Sequence, residues 1–265
     1  MVPARRPCAP PRAGERGEPM TLRFVPLGIG DAFSERWYST SFAIEAEGAL
    51  LLVDCPHPIR KMLREARDAS GLDLRLERVS TVVLTHLHAD HASGLEGYGY
   101  FSHFALGKRA RVAAHPAVIS RAWDGHLAAG MERLESPAGL RMMGFDDYFE
   151  HVPLDVKRAT SIGPFEIECR ATHHHVPTTA LRVRAGGRVL GLSADTSFDP
   201  KLIAWLAEAD LVVHETNYGT HTPYEALAAL DPLLRAKMRL VHFPDTFDLE
   251  GSVIECLAQG RVYEV

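Results

Sequence analysis

Thr85-His86-Leu87-His88-Ala89-Asp90-His91 is the stretch that decides how this chain is read. It follows Val79-Ser80-Thr81-Val82-Val83-Leu84, an apolar, β-branched run that predicts a buried strand. It leads into Ala92-Ser93-Gly94-Leu95, where a helix can start. Three imidazoles and a carboxylate therefore crowd the end of one strand, a usual place for catalytic groups. Residues two apart in an extended or turning segment point to the same side, so His86 and His88 can hold one cation. Asp90 and His91 follow the turn and can face a second cation nearby. Neutral imidazole nitrogen and carboxylate oxygen suit Zn first, with Mn or Fe as alternatives. A single histidine here would be read as a satisfied polar residue. The density of ligand-type side chains favours metal.

Outward from this motif, the chain alternates strands with helices. Thr21-Leu22-Arg23-Phe24-Val25-Pro26-Leu27 predicts a strand before the Gly28-Ile29-Gly30-Asp31 turn. That turn opens no helix, so dinucleotide binding is rejected. Residues 41–46 and 49–54 predict a hairpin around Glu47-Gly48. Ile59, Met62, Leu63 and Ala66 fall at helical spacing over 58–70, with Gly71 as the stop. Residues 93–155 are the least legible part; they concentrate aromatic side chains, which read as core. Phe165–Arg170, Leu181–Arg184, Arg188–Ser193, residues 209–213 and Arg239–Val241 predict further strands. Asp199-Pro200 opens a helix, and Thr222-Pro223-Tyr224-Glu225 reads as a capping box for a helix reaching about Met238. Residues 250–259 are expected to be helical and 261–265 to form an edge strand.

Composition is that of an ordinary globular protein, with 46% hydrophobic and 24% charged residues in 265. Residues 1–19, rich in Pro, Arg, Gly, Glu and Ala, are expected to be a disordered extension, with Met20 a candidate start; 20–265 are expected to form one domain. The net charge of −5 counts against a general nucleic-acid surface. A small anionic substrate stays compatible, because bound metal supplies local positive charge. Cys8, Cys55, Cys169 and Cys256 are scattered and form no disulfide framework. No run reaches membrane-spanning length and no signal peptide is visible, so a cytoplasmic location is expected. The sequence does not set the oligomeric state, and a homodimer is compatible with it.

The His-x-His-x-Asp-His motif of residues 86–91 resembles the signature of the metallo-β-lactamase superfamily. The resemblance covers nearly all of the chain from about Thr21 to Val265. It implies a four-layer αββα sandwich of two mixed β-sheets flanked by helices. It also implies that a histidine follows a later strand, that an aspartate then bridges two metals, and that a last histidine ends a late strand. His174, Asp195 and His242 match these positions. His174 is favoured over His173 and His175 by alignment back from Leu181-Arg182-Val183, and a one-residue slip would exchange them. The implied centre is dinuclear: His86, His88 and His174 on one metal, Asp90, His91 and His242 on the other, and Asp195 between them. Asp54 ends its strand where the family often has an aspartate supporting the metal loop, though a turn or cap role is as good a reading. His57 follows on the same loop and is a weaker candidate to reach the site.

Within that superfamily the later motifs resemble the ribonuclease Z and phosphodiesterase branch. They are Ser193-Ala194-Asp195-Thr196, Val213-His214-Glu215, His221 ahead of a helix, and Leu240-Val241-His242. Two cations sharing a water lower its pKa toward neutrality, and the leaving alkoxide then needs a proton. His221 is the first candidate donor, with Glu215 as its orienting partner, and Asp90 belongs with them as a catalytic carboxylate. A helix N-terminus beside His221 would count against an imidazolium. His214 reads as a buried supporting group. Ribonuclease Z carries an inserted arm between the counterparts of His174 and Asp195, whereas this chain has room for a hairpin only. Phosphodiester hydrolysis on a small or cyclic substrate is therefore expected ahead of transfer-RNA processing. Acyl hydrolysis of a lactone, thioester or lactam is the alternative, and a di-iron redox protein a remote one.

Overall fold

Alternation of apolar side chains along the strands sorts them into two cores, and that sorting builds the fold. The computed structural model describes residues 21–265; the extension expected over 1–19 and the candidate start at Met20 lie outside the described residues. Fifteen strands are found there: β1 Arg23–Gly28, β2 Ser41–Ala46, β3 Ala49–Val53, β4 Val79–Val83, β5 Ala110–Ala114, β6 Arg133–Ser136, β7 Gly139–Met142, β8 Phe149–Pro153, β9 Thr160–Ile162, β10 Phe165–Ala171, β11 Thr179–Ala185, β12 Arg188–Leu192, β13 Leu211–Glu215, β14 Met238–Val241 and β15 Tyr263–Glu264. One sheet has seven strands in the order β15-β1-β2-β3-β4-β5-β8, and the other six in the order β14-β13-β12-β11-β10-β9. Both are mixed: β1, β2 and β3 are antiparallel neighbours while β3, β4, β5 and β8 run parallel. In the second sheet β9 to β12 are antiparallel, and β12, β13 and β14 parallel.

Successive strand residues face opposite sides. Phe24, Ile44, Leu51, Val53 and Val83 of the first sheet meet Phe165, Ile167, Leu181, Val183, Leu190 and Val213 of the second in one buried cluster. Their neighbours Val25, Leu27, Leu50, Leu52 and Val82 face the other way and pack against Ile59, Met62, Leu63 and Ala66. Those four belong to the helix Ile59–Ser70, which stops at Gly71 in the left-handed conformation. The helix Pro200–Leu206 lies on the second sheet, its first turn capped by the Asp199 carboxylate, which accepts from the Lys201 amide at 2.8 Å. The layers are thus helix, sheet, sheet, helix, as the superfamily resemblance implied.

Two helix expectations fail for identifiable reasons. The helix expected from Thr222 to Met238 breaks into Tyr224–Ala228 and Pro232–Ala236. Pro232 has no amide proton, and Asp231 begins a new helix by accepting from Leu233. Nor does Thr222 cap the first piece; its hydroxyl donates to the Thr196 carbonyl at 2.9 Å. Residues 250–259 form no helix, because this stretch spends its backbone on β14: Leu240 donates to Glu255 and Leu257 donates to Leu240, both at 2.9 Å. Residues 93–155 hold short helices and the small β6–β7 hairpin, and Tyr98, Tyr148 and Phe149 are core residues as expected. The β15 edge strand lies within residues 261–265.

Candidate metal centre

The carboxyl ends of β4, β10, β12, β13 and β14 carry the chemistry. The loop after β4 brings His86, His88, Asp90 and His91; the segment between β10 and β11 brings His173, His174 and His175; β12 leads to Asp195, β13 ends in Glu215, and β14 leads to His242. The two sheets are joined at this point by backbone, since Thr179 donates its amide to the Thr85 carbonyl at 3.1 Å. The turns are tight. Asp54, Ala194 and His242 have φ of 61°, 50° and 60°, a left-handed conformation that non-glycine residues rarely adopt. Strain of this kind concentrates at functional sites.

Three groups of ligand atoms result, each with all members within 4.8 Å of one another: His86, His88, His174 and Asp195; Asp90, His91 and His242; and Asp195, His221 and His242. Asp195 lies at the centre. Its Oδ1 is 3.4 Å from His91 Nε2, and its Oδ2 is 3.6 Å from His86 Nε2, 3.8 Å from His174 Nε2 and 3.6 Å from His242 Nε2. Asp90 Oδ2 is 3.4 Å from His91 Nε2 and 3.3 Å from His242 Nε2. Burial works against both carboxylates as ions. For Asp195 the imidazoles of His242 and His91 outweigh it, and for Asp90 the same two do, so both stay well below the usual carboxylate range.

A divalent cation fits the donor set. His88 Nδ1 is 3.1 Å from His86 Nε2 and 3.2 Å from His174 Nε2. Nitrogens around a tetrahedral zinc at about 2.0–2.1 Å stand about 3.3 Å apart, close to this spacing. Burial holds His86 well below its usual pKa and His174 down at about 4, so both rings turn neutral lone pairs inward. His91 Nε2 is buried with no hydrogen-bond partner. Its ring is held from behind, because Nδ1–H donates to Asp54 Oδ2 at 2.8 Å. The same Asp54 accepts from the Thr85 amide and the Thr85 hydroxyl, each at 2.8 Å. Of the two readings of Asp54, support of the metal loop matches this geometry.

His221 sits beside the cluster with Nδ1–H donating to Glu215 Oε1 at 3.0 Å, and this bond raises its pKa against the opposing effect of burial. The helix Tyr224–Ala228 that follows is only one turn long, and the Glu215 contact outweighs it. His175 packs its ring on His88, with centroids 4.5 Å apart, but does not join the ligand groups, nor does exposed His173. His57 is exposed and takes no part; only its backbone is engaged, donating to Ser93 Oγ. His214 is buried and faces its own strand, with Nδ1 donating to the Glu215 carbonyl at 2.7 Å. Sequence reasoning passed over Thr85, Asp31 and Asn217. Asn217 Nδ2 donates to Asp31 Oδ2 and to the His242 carbonyl, both at 3.0 Å. Thr85 and Asp31 lie inside quoted stretches that gave them no role of their own, and Asn217 lies two residues past Val213-His214-Glu215, which was the available signal.

These features are those of a metallo-β-lactamase-fold, metal-dependent hydrolase. Residues 22–260 match the family described as Anti-Pycsar protein Apyc1, and the chain belongs to that family. A family member from Saccharibacillus brassicae is 27% identical over 250 residues, covering 90% of this chain and 98% of its own. The cAMP/cGMP-dependent 3′,5′-cAMP/cGMP phosphodiesterase B of Dictyostelium discoideum is 24% identical over 253 residues, covering 88% of this chain and 21% of that protein. Among solved structures, the metallo-β-lactamase fold protein YhfI of Bacillus subtilis superposes with a TM-score of 0.73 at 18% identity, covering 92% of this chain and all of that one. The short form of human tRNase Z gives 0.65 at 20% identity, covering 91% and 98%. The hairpin turn at Gly186-Gly187 is all that separates β11 from β12, so no inserted arm stands between His174 and Asp195.

Proposed function

We propose that this chain is a dinuclear, metal-dependent phosphodiesterase that opens a 3′,5′-cyclic nucleotide. The observation carrying the proposal is the shared position of Asp195, one of whose oxygens faces His91 while the other faces His86, His174 and His242. Likeness to a family of anti-Pycsar proteins and to a cAMP/cGMP phosphodiesterase supports the cyclic substrate. In this reading His86, His88 and His174 hold one cation, Asp90, His91 and His242 hold the other, and Asp195 belongs to both; zinc suits the donor set best. Such cations, when bound, supply Lewis acidity toward the phosphoryl oxygens and acidify the attacking water.

The remaining steps fall to the side chains. Asp90, kept ionised by its two imidazole neighbours, accepts a hydrogen bond from the water and orients it toward phosphorus. His221 directs Nε2–H at the departing oxygen and transfers that proton as the P–O bond breaks. Glu215 holds the His221 ring by Nδ1 and stabilises the protonated form. The acidic net charge supports a small anionic substrate in preference to a polynucleotide, and we place the activity in the cytoplasm. Among the described residues no helix is long and apolar enough to cross a membrane.

The test is hydrolysis of bis(p-nitrophenyl) phosphate and of 3′,5′-cyclic AMP by protein loaded with Zn or Mn, beside Asp195→Ala. Metal-dependent turnover that falls at least about 100-fold in the variant is expected. A protein with two bound metals per chain that cleaves neither diester would overturn the proposal.

A further inference from the structure

We propose that Phe33 and Tyr218 form the subsite that grips the nucleobase of the substrate by stacking; the inference rests on the cyclic-nucleotide reading above. Both rings border the same cavity of about 680 Å³ as His88, Asp90, Asp195 and His221. That volume suits a small ligand. Phe33 is 89% exposed and Tyr218 68% exposed, and no large apolar side chain among the described residues is more exposed than Phe33.

The exposure of Phe33 is imposed by a braced loop. Gly30 donates to Tyr38 at 3.0 Å and Thr40 donates back to Gly30 at 3.1 Å, which closes the loop at its base. Gly30 is needed there, since a Cβ would stand 2.6 Å from Ser34 Cβ. Beside the tip, the Phe33 amide donates to Asp31 Oδ1 at 2.9 Å, the Ser34 hydroxyl to Asp245 Oδ1 at 2.6 Å, and the Glu35 amide to Asp245 Oδ2 at 2.8 Å. Trp37 anchors the far side edge-on against buried Phe243, with centroids 5.3 Å apart. These contacts brace the backbone around Phe33 and leave its ring in water beside the cavity.

Asn217 couples this loop to the second one. Its Nδ2 donates to Asp31 and to the carbonyl of His242, while its Oδ1 accepts from the Tyr218 amide at 2.7 Å. The two aromatic positions are therefore fixed relative to each other and to the metal cluster. One end of the cavity is built for an anion held by cations, and the other offers flat apolar faces. A molecule with a phosphodiester at one end and a planar heterocycle at the other meets both, and a base stacked on an aromatic ring is a strong, face-directed contact.

The experiment compares 3′,5′-cyclic AMP with a base-free probe, 1-O-methylribofuranose 3′,5′-cyclic phosphate, on metal-loaded wild type, Phe33→Ala, Tyr218→Ala and Phe33→Trp. The preference in kcat/KM for the nucleotide over the probe is expected to fall about 5- to 100-fold in each alanine variant, mostly through KM, and to return in Phe33→Trp. Calorimetric binding of AMP, which involves no turnover, should weaken in parallel. Wild-type preference and AMP affinity in both alanine variants would overturn the subsite. So would a variant that changes oligomeric state by light scattering while keeping the preference, since Phe33 would then be covered by a second copy of the chain. A wild type that cleaves neither compound would overturn the phosphodiesterase reading itself, and the subsite with it.

Discussion

Thr85 donates its hydroxyl proton to Asp54 across 2.8 Å and, with that proton spent, accepts from His86 Nδ1–H at 2.9 Å. Asp54 takes a second proton directly, from His91 Nδ1 at 2.8 Å. One buried carboxylate thereby fixes the tautomer of two rings, and in both it leaves Nε2 as the lone pair facing the cluster. Asp195 and Asp54 raise the His91 pKa well above normal against burial, so without a cation Nε2 carries a proton, and a metal bound there would displace it to reach that lone pair.

Asp54→Asn should therefore weaken metal binding without touching a ligand. Loss of such an outer partner costs about 10- to 100-fold in affinity. Competition with a chromogenic chelator measures it, with the circular dichroism spectrum expected to stay native. Wild-type affinity in the variant would remove Asp54 from the metal site.

His221→Ala should lower kcat for cyclic AMP by about 100-fold or more while both metals are retained, the usual contribution of a positioned proton donor. Glu215→Gln should lower it less, because the ring stays and only its partner's charge is lost. The double variant should be no worse than about His221→Ala alone, since the pair acts as a unit. Metal analysis of each variant separates loss of the donor from loss of the centre. Additive losses would show that Glu215 acts independently of His221.

Thiol chemistry gives a check on packing that does not involve the site. Burial raises the Cys256 thiol to about 11 from an ordinary 9.0. Below both values the thiolate fraction falls tenfold per unit, so native Cys256 should alkylate about 100-fold more slowly at pH 8 than a free cysteine. The rate should rise with pH through that range. Cys55 and Cys169 are buried and should react only on unfolding. Fast labelling of either by peptide mapping would contradict the core described above.

Gly94→Ala tests the support behind the metal loop. A Cβ there would lie 2.7 Å from the Cys55 carbonyl oxygen and 2.6 Å from that of Pro56, and backbone cannot rotate aside. The Gly94 amide also donates to Cys55 at 2.7 Å. A loss of about 1–3 kcal/mol in urea unfolding is expected. A neutral result would mean the 55–56 segment yields freely.

Much of this was legible because it is local. Alternation along residues 41–54 and 165–192, the Gly71 stop and the motif at 86–91 are short-range patterns, and each appears in the structure where the sequence placed it. The helix expected at 250–259 failed because pairing with β14, a partner distant in sequence, took the backbone. Pro232 and Asp231 were visible, but the capping-box reading at Thr222-Pro223-Tyr224-Glu225 ran the helix through them. Thr85 and Asn217 escaped notice because their importance lies in what they touch across the fold, Asp54 and Asp31, and no spacing rule encodes that. The His173-His174-His175 triplet needed three dimensions to show which ring turns toward His88 and Asp195.

The origin of the clustered side chains has a consequence for the whole molecule. His86, His88, Asp90 and His91 hang from the seven-stranded sheet; His174, Asp195 and His242 hang from the six-stranded one. The group of His86, His88, His174 and Asp195 and the group of Asp90, His91 and His242 each draw on both. A cation seated in either would act as a rivet through the sandwich, clamping two leaves whose backbones meet at this rim where Thr179 donates to Thr85 and His242 donates to Ile29. Stripping metal should then loosen the seam between the leaves before it melts either leaf, so that amide exchange quickens first along the rim.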